Sequence, residues 1–144
     1  MRIIDIVGNA VAQLDTDIPF TFMFGADDSD ANKEADHVPD KFVYLSLPTF
    51  SLNKNAMNVL TETYRCAILV MHKTTFGEKA YTHKEAWGLS VDAAKKLYML
   101  LSKGAGVVRV EAADNSMSVD TFDANFDGLT MVLNITLNDN LKLC

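Results

Sequence analysis

The run with the strongest chemical suggestion is Asp28-Ser29-Asp30-Ala31-Asn32. Its Asp-x-Asp-x-Asn spacing opens a calcium loop, where alternate carboxylates turn their oxygens toward one hard cation. The run then departs from that pattern. Lys33 stands where the sharp turn needs glycine, and Pro39 stands where a bidentate glutamate belongs. A solvated acidic loop is the better reading. Asp27, Asp28, Asp30, Glu34 and Asp36 therefore go forward as a candidate interaction loop, not as a metal site.

Three histidines, His37, His72 and His83, could act as acid, base or ligand near neutral pH. They are not spaced as a zinc pair, and Cys66 and Cys144 form no CxxC. Each histidine also has a structural place: His37 in a loop, His72 at a strand end, His83 in the first turn of a helix. No G-x-S-x-G nucleophile elbow and no G-x-x-x-x-G-K-[ST] phosphate loop occurs. Gly104-Ala105-Gly106 lacks the third glycine of a dinucleotide fingerprint and follows a helix instead of opening one. Trp87 and Tyr98, about three turns apart on one helix, could stack bases, although rings at helical spacing more often pack a core. Cys66 lies in an apolar run and reads as a small core residue; with Cys144 it makes no disulfide framework. The expectation is a reduced, cytosolically made protein with no catalytic centre and no cofactor.

The chain has 144 residues, 49% apolar and 22% charged, with mean hydropathy +0.06. That is one domain's worth, able to bury roughly 68–70% of its unfolded surface. A single domain spanning 1–144 is expected. No apolar run reaches the length of a membrane span, and Asp5 within the first apolar stretch argues against a secretory signal. The net charge of −6 disfavours general nucleic-acid binding, which rests on neutralised phosphates. The charge is blocked. Residues 41–110 hold ten Lys or Arg against four acids, while residues 26–40 and 111–144 each hold six acids against one lysine. Such blocks suit complementary contacts between copies or with a partner.

The elements that must position these residues follow from periodicity. Ile3, Ile4, Val7, Val11 and Leu14 predict an amphipathic helix over 2–14, ended by Asp15, Asp17 and Pro19. Strands are predicted at 20–24, 41–47 and 63–72, with Pro48 closing the second or marking a bulge before Phe50 and Leu52. Thr82-His83-Lys84-Glu85 has capping-box form. Gly88 and Ser90 leave two readings: one helix over 83–103, or a turn and a helix from 91, with Val91, Ala94, Leu97, Tyr98 and Leu101 inward. A hairpin of 106–113 with 117–122, turning at Asp114-Asn115-Ser116, precedes a regular strand over 129–137. The order α-β-β-β-α-β-β-β predicts an α+β fold. A mostly antiparallel β-sheet packs with an N-terminal helix and one long central helix.

This layout resembles that of bacteriophage tail terminators and related head–tail connector (neck) proteins. The shared features are the N-terminal helix, strands like Lys41–Leu47 and Thr63–His72, one long helix, a hairpin and the closing Asp127–Leu137 strand. The resemblance implies a virion structural protein made in the host cytoplasm. It would form a homo-oligomeric ring, often of six copies, between tail-tube and neck proteins. DNA would pass without specific binding, no membrane would be involved, and loops such as 25–40 and 73–81 would meet neighbours. Two other readings stay open: a small acidic protein-binding module of DNA-mimic or inhibitor type, and a small hydrolase or isomerase using His72 or His83 across subunits.

Overall fold

A computed structural model describes residues 2–25, 40–54, 57–74, 81–121 and 126–138. The elements are α1 (Arg2–Ala12), β1 (Thr21–Gly25), β2 (Lys41–Ser46), β3 (Thr49–Lys54), β4 (Leu60–Lys73), α2 (His83–Ser102), β5 (Val107–Thr121) and β6 (Phe126–Asn138). The strands form one sheet in the order β1-β2-β4-β6-β5, with β3 also on β4. Only β1 and β2 pair in parallel among the described strands. The fold is thus the expected α+β arrangement, with an N-terminal helix and a long central one.

Helix α1 buries Ile3, Val7, Ala10 and Val11, the face its spacing predicts. Gly8 has a positional reason: the Phe22 ring lies where a side chain would stand, its nearest carbon 3.0 Å from an added Cβ. Asp15 ends the helix by accepting from the Asp17 and Ile18 N–H groups at 3.0 and 3.1 Å. Lys41 closes on the same carboxylate at 2.7 Å, and its hydrogen bond holds the Asp15 carboxyl down to about 2. Lys96 of α2 donates to the Leu14 carbonyl at 2.9 Å, tying the two helices together.

Pro48 marks a bulge. Leu45 pairs with Ile68 and Thr49 with Arg65, so four positions on one strand face three on the other. β2 and β3 are one line of chain bent around that extra residue. β3 returns into β4 past Asn58, which takes the left-handed conformation (φ 57°) that asparagine tolerates well.

Two expectations are corrected. Asp114-Asn115-Ser116 is not a turn: it lies inside one long β5, opposite Val132, Met131 and Thr130. The hairpin partner of β5 is β6, not the 117–122 segment, which is the far end of β5 itself. A register shift between Ala112 and Asp114 absorbs the irregularity, and an exposed edge strand accepts polar residues that a central strand would reject. The second reading of the central helix also fails. Thr82 accepts from the Glu85 N–H at 3.2 Å, and α2 runs unbroken past Gly88 and Ser90.

The main core lies between the helices and one sheet face, where Val43, Leu45, Cys66, Ile68, Val70, Leu133, Ile135 and Leu137 meet Ile3, Val7, Leu97 and Leu101. A smaller cluster on the other face joins Phe42, Tyr44, Leu69, Met71 and Phe126, with Phe42 edge-on to Phe126 at 4.8 Å. β2 therefore buries both its faces, Val43 and Leu45 toward the helices and Phe42 and Tyr44 away from them. Burial pushes the Cys66 thiol up to about 12, so it packs and does not react. Among the described residues, no helix is long and apolar enough to cross a membrane.

Gly128 sits where β6 crosses β4. A Cβ there would lie 2.0 Å from the Val70 carbonyl oxygen and 2.9 Å from the Met71 sulfur. Gly128→Ala should therefore push the two central strands apart and destabilise the fold by at least about 1–3 kcal/mol, read by urea denaturation. A variant as stable as the parent would show that the two strands part there without cost.

Candidate functional site

Polar chemistry gathers under the N-terminal turns of α2. The β4–β6 register sets His72 opposite Asp127, and cross-strand partners share a sheet face. Helix α2 lies over them. His72 Nδ1 and Ser90 Oγ share a hydrogen bond of 2.7 Å. The Asp127 carboxylate accepts from His83 Nδ1 and, at 3.5 Å, from the Thr74 hydroxyl. Phe20 and Tyr81 set their rings edge-on to His72 at 5.4 and 5.6 Å, and Lys41 lies 4.4 Å from the centre of the Phe20 ring.

The inventory resembles that of a hydrolase: a serine, two histidines and an aspartate. The wiring does not match it. A nucleophilic serine needs an accessible oxygen, and a histidine beside it held by the acid. Here Ser90 is 0% exposed, and the acid holds a different histidine from the one the serine touches. Burial and the nearby Lys41 charge push the His72 pKa down to about 4, so the ring is neutral at pH 7. The cluster pins the start of α2 to the sheet: Ser90 to β4, His83 to β6. It replaces apolar packing with satisfied hydrogen bonds where the helix crosses the strand ends.

Sequence periodicity missed this. It placed Val91 inward, whereas Ala86, Ser90, Ala94, Leu97 and Leu101 are the buried positions of α2. The available signal was the four-residue step Ala86–Ser90–Ala94, all small, which lets the helix approach the sheet closely.

Of the other candidates, Trp87 and Tyr98 form no shared platform. The Tyr98 hydroxyl donates to the Val110 carbonyl at 2.8 Å while its ring packs on the core, and Trp87 lies beside His83 at 6.1 Å. Asp27, Asp28, Asp30, Glu34 and Asp36 fall outside the described residues, as do the calcium-like run, His37 and Cys144. Among the described residues, no three His, Cys, Asp or Glu side chains gather as metal ligands.

The exposed surface of note is apolar. Phe50 pairs with Tyr64 and Leu52 with Glu62, so both point to the face that the helices cover elsewhere. The helices pack on β1, β2, β4, β5 and β6, and the apolar stripe continues past that cover onto β3. Phe50 is 62% exposed, Leu52 54% and Met57 79%. Phe50 stacks on Tyr64 at 5.8 Å, and Tyr64 donates to Glu62 at 2.9 Å. Contiguous apolar surface on a small domain marks an interaction site. The sequence places Phe50 and Leu52 only as strand resumed after Pro48; no local pattern could say that the face they share would be left exposed.

The buried histidine gives a pH dependence. Its folded pKa lies below the 6.5 of the unfolded chain, so the unfolded state takes up the proton first as pH falls. Stability is complete above about pH 6.5 and should fall by about 3 kcal/mol between there and pH 4, measured by urea denaturation across that range. His72→Gln keeps a partner for Ser90 and should flatten that slope; equal slopes in parent and variant would exclude His72 as the cause. Asp15 loses its contribution only below its usual 3.8, outside this window.

Compared with protein-family models and with curated proteins, the sequence finds a match in neither, so its function rests on the geometry above.

Proposed function

We propose that this chain is a virion structural protein of a tailed bacteriophage. It would be a tail terminator or head–tail connector subunit that acts by assembling into a homo-oligomeric ring, of six copies if the resemblance extends that far. One observation carries the assembly role: Phe50 and Leu52 stand exposed on β3, which has no further strand beside it among the described residues. Burying each of these side chains in a contact would contribute about 1.5–3 kcal/mol. The polar cluster supports the same reading from the other side, since its buried members Ser90, His72 and Asp127 bond across the α2–sheet junction. The virion setting and the tail-tube or neck neighbours come from the resemblance in layout. In that setting the acidic balance keeps passing DNA from adhering.

Native mass spectrometry and light scattering on the purified chain, over a range of concentration and salt, test this. A discrete oligomer that strengthens with concentration is expected, because burying Phe50 and Leu52 drives association. A monomer under every condition, paired with strongly salt-dependent capture of a basic protein, would overturn the ring and favour the acidic binding module.

A further inference from the structure

Among the described strands, β3 and β5 lie at opposite sides of the sheet. β3 pairs with β4 alone among the described residues, and all six of its residues are exposed. Among the described strands β5 pairs with β6 alone, and Val108, Arg109, Glu111, Ala112, Ala113 and Asp114 are exposed. β1 is a third edge, but only five residues long. A strand laid on β3 would continue the line of β1 across the Pro48 bulge. Monomeric proteins blunt such edges with charges, prolines or very short strands. β3 has no proline and one charge, Lys54.

The two edges also differ in charge. On the open half of β3 and β4, exposed Lys54 and Arg65 outnumber Glu62, which already accepts from Tyr64. On β5, Glu111 and Asp114 outnumber Arg109, which is paired with Glu111 at 3.3 Å. Apolar residues stand ready on both, Phe50 and Leu52 on β3 and Val108 on β5.

We infer that β3 of one copy pairs with β5 of a second copy, so that one sheet continues from subunit to subunit. This rests on the assembly reading above and names its contact. A symmetric β3–β3 contact would set two cationic edges together, whereas β3 on β5 joins opposite charge, apolar to apolar and open backbone to open backbone. The two surfaces are different, so the contact is head-to-tail. Each copy offers β3 to one neighbour and β5 to the next, and the repeat closes into a ring or runs on as a filament.

Two variants of the full chain test it. Phe50→Lys with Leu52→Lys blocks β3, and Val108→Lys with Glu111→Lys blocks β5. All four positions are exposed, so circular dichroism should be unchanged. Each variant alone should need at least about tenfold more protein to associate, corresponding to a loss of about 1.4 kcal/mol. Mixed in equal amounts, they should form a species of twice the chain mass and stop there, because each retains one good edge. A separate pair, Lys54→Glu and Glu111→Lys, should weaken association singly and restore it when combined in one chain. Oligomers that persist in both blocked variants would overturn the edge pairing and leave the assembly reading standing. Loss with the β3 block alone would point to a symmetric β3 contact and also overturn it. A parent chain that stays monomeric up to millimolar concentration would remove both.

Discussion

From Thr61 to Lys73, β4 pairs position by position with β6 from Asn138 back to Phe126. A slip of one residue would turn every side chain on β6 to the opposite face. The register is pinned on both faces at once. Cys66, Ile68 and Val70 lie with Leu133, Met131 and Leu129 under the helices, while Met71 fits over Gly128 on the other side, where no side chain has room. The same ladder sets His72 beside Asp127 at one end. At the other it leaves β4 running on past the helices to carry β3.

The two ends of that ladder meet opposite fates. Near Lys73, α2 begins directly over the strands, and its first turns must be anchored where backbone ends and helix start converge. Hydrogen bonds from Ser90 and His83 supply the anchor, and burial then keeps His72 neutral. Toward Leu60, β4 carries β3, whose six residues are all exposed, and β3 takes the apolar stripe into solvent. His72, Ser90 and Asp127 are buried beneath α2, while the His83 side chain stays half exposed and Phe50 and Leu52 are left in solvent.

Arg2 shows how far the closure depends on distant residues. It reaches from the start of α1 to the Asn138 carbonyl at 2.7 Å and lies against Gly106, where the left-handed φ of +79° and the guanidinium leave no space for a Cβ. Asn138 in turn donates its N–H to the Gly106 carbonyl at 3.0 Å. The first helix, the turn into β5 and the end of β6 are thus fastened at one point, although they span nearly the whole chain.

Much of this was legible in the residues. The α1 stripe, the buried run of β4, the Thr82 cap and the inward face of Leu129, Met131, Leu133, Ile135 and Leu137 all follow from local period and residue type. So did the α+β class with its two helices. Tertiary structure alone decided which strands pair, because pairing depends on contacts between residues far apart in sequence. It made β6 the partner of β5, and it turned a polar tripeptide that reads locally as a turn into part of an edge strand. It placed Ser90 inside, since a small hydroxyl is tolerated in a core once His72 is there to bond it. It also left Phe50 and Leu52 bare: a strand's alternation fixes which side chains share a face, but cover comes only from what packs on that face.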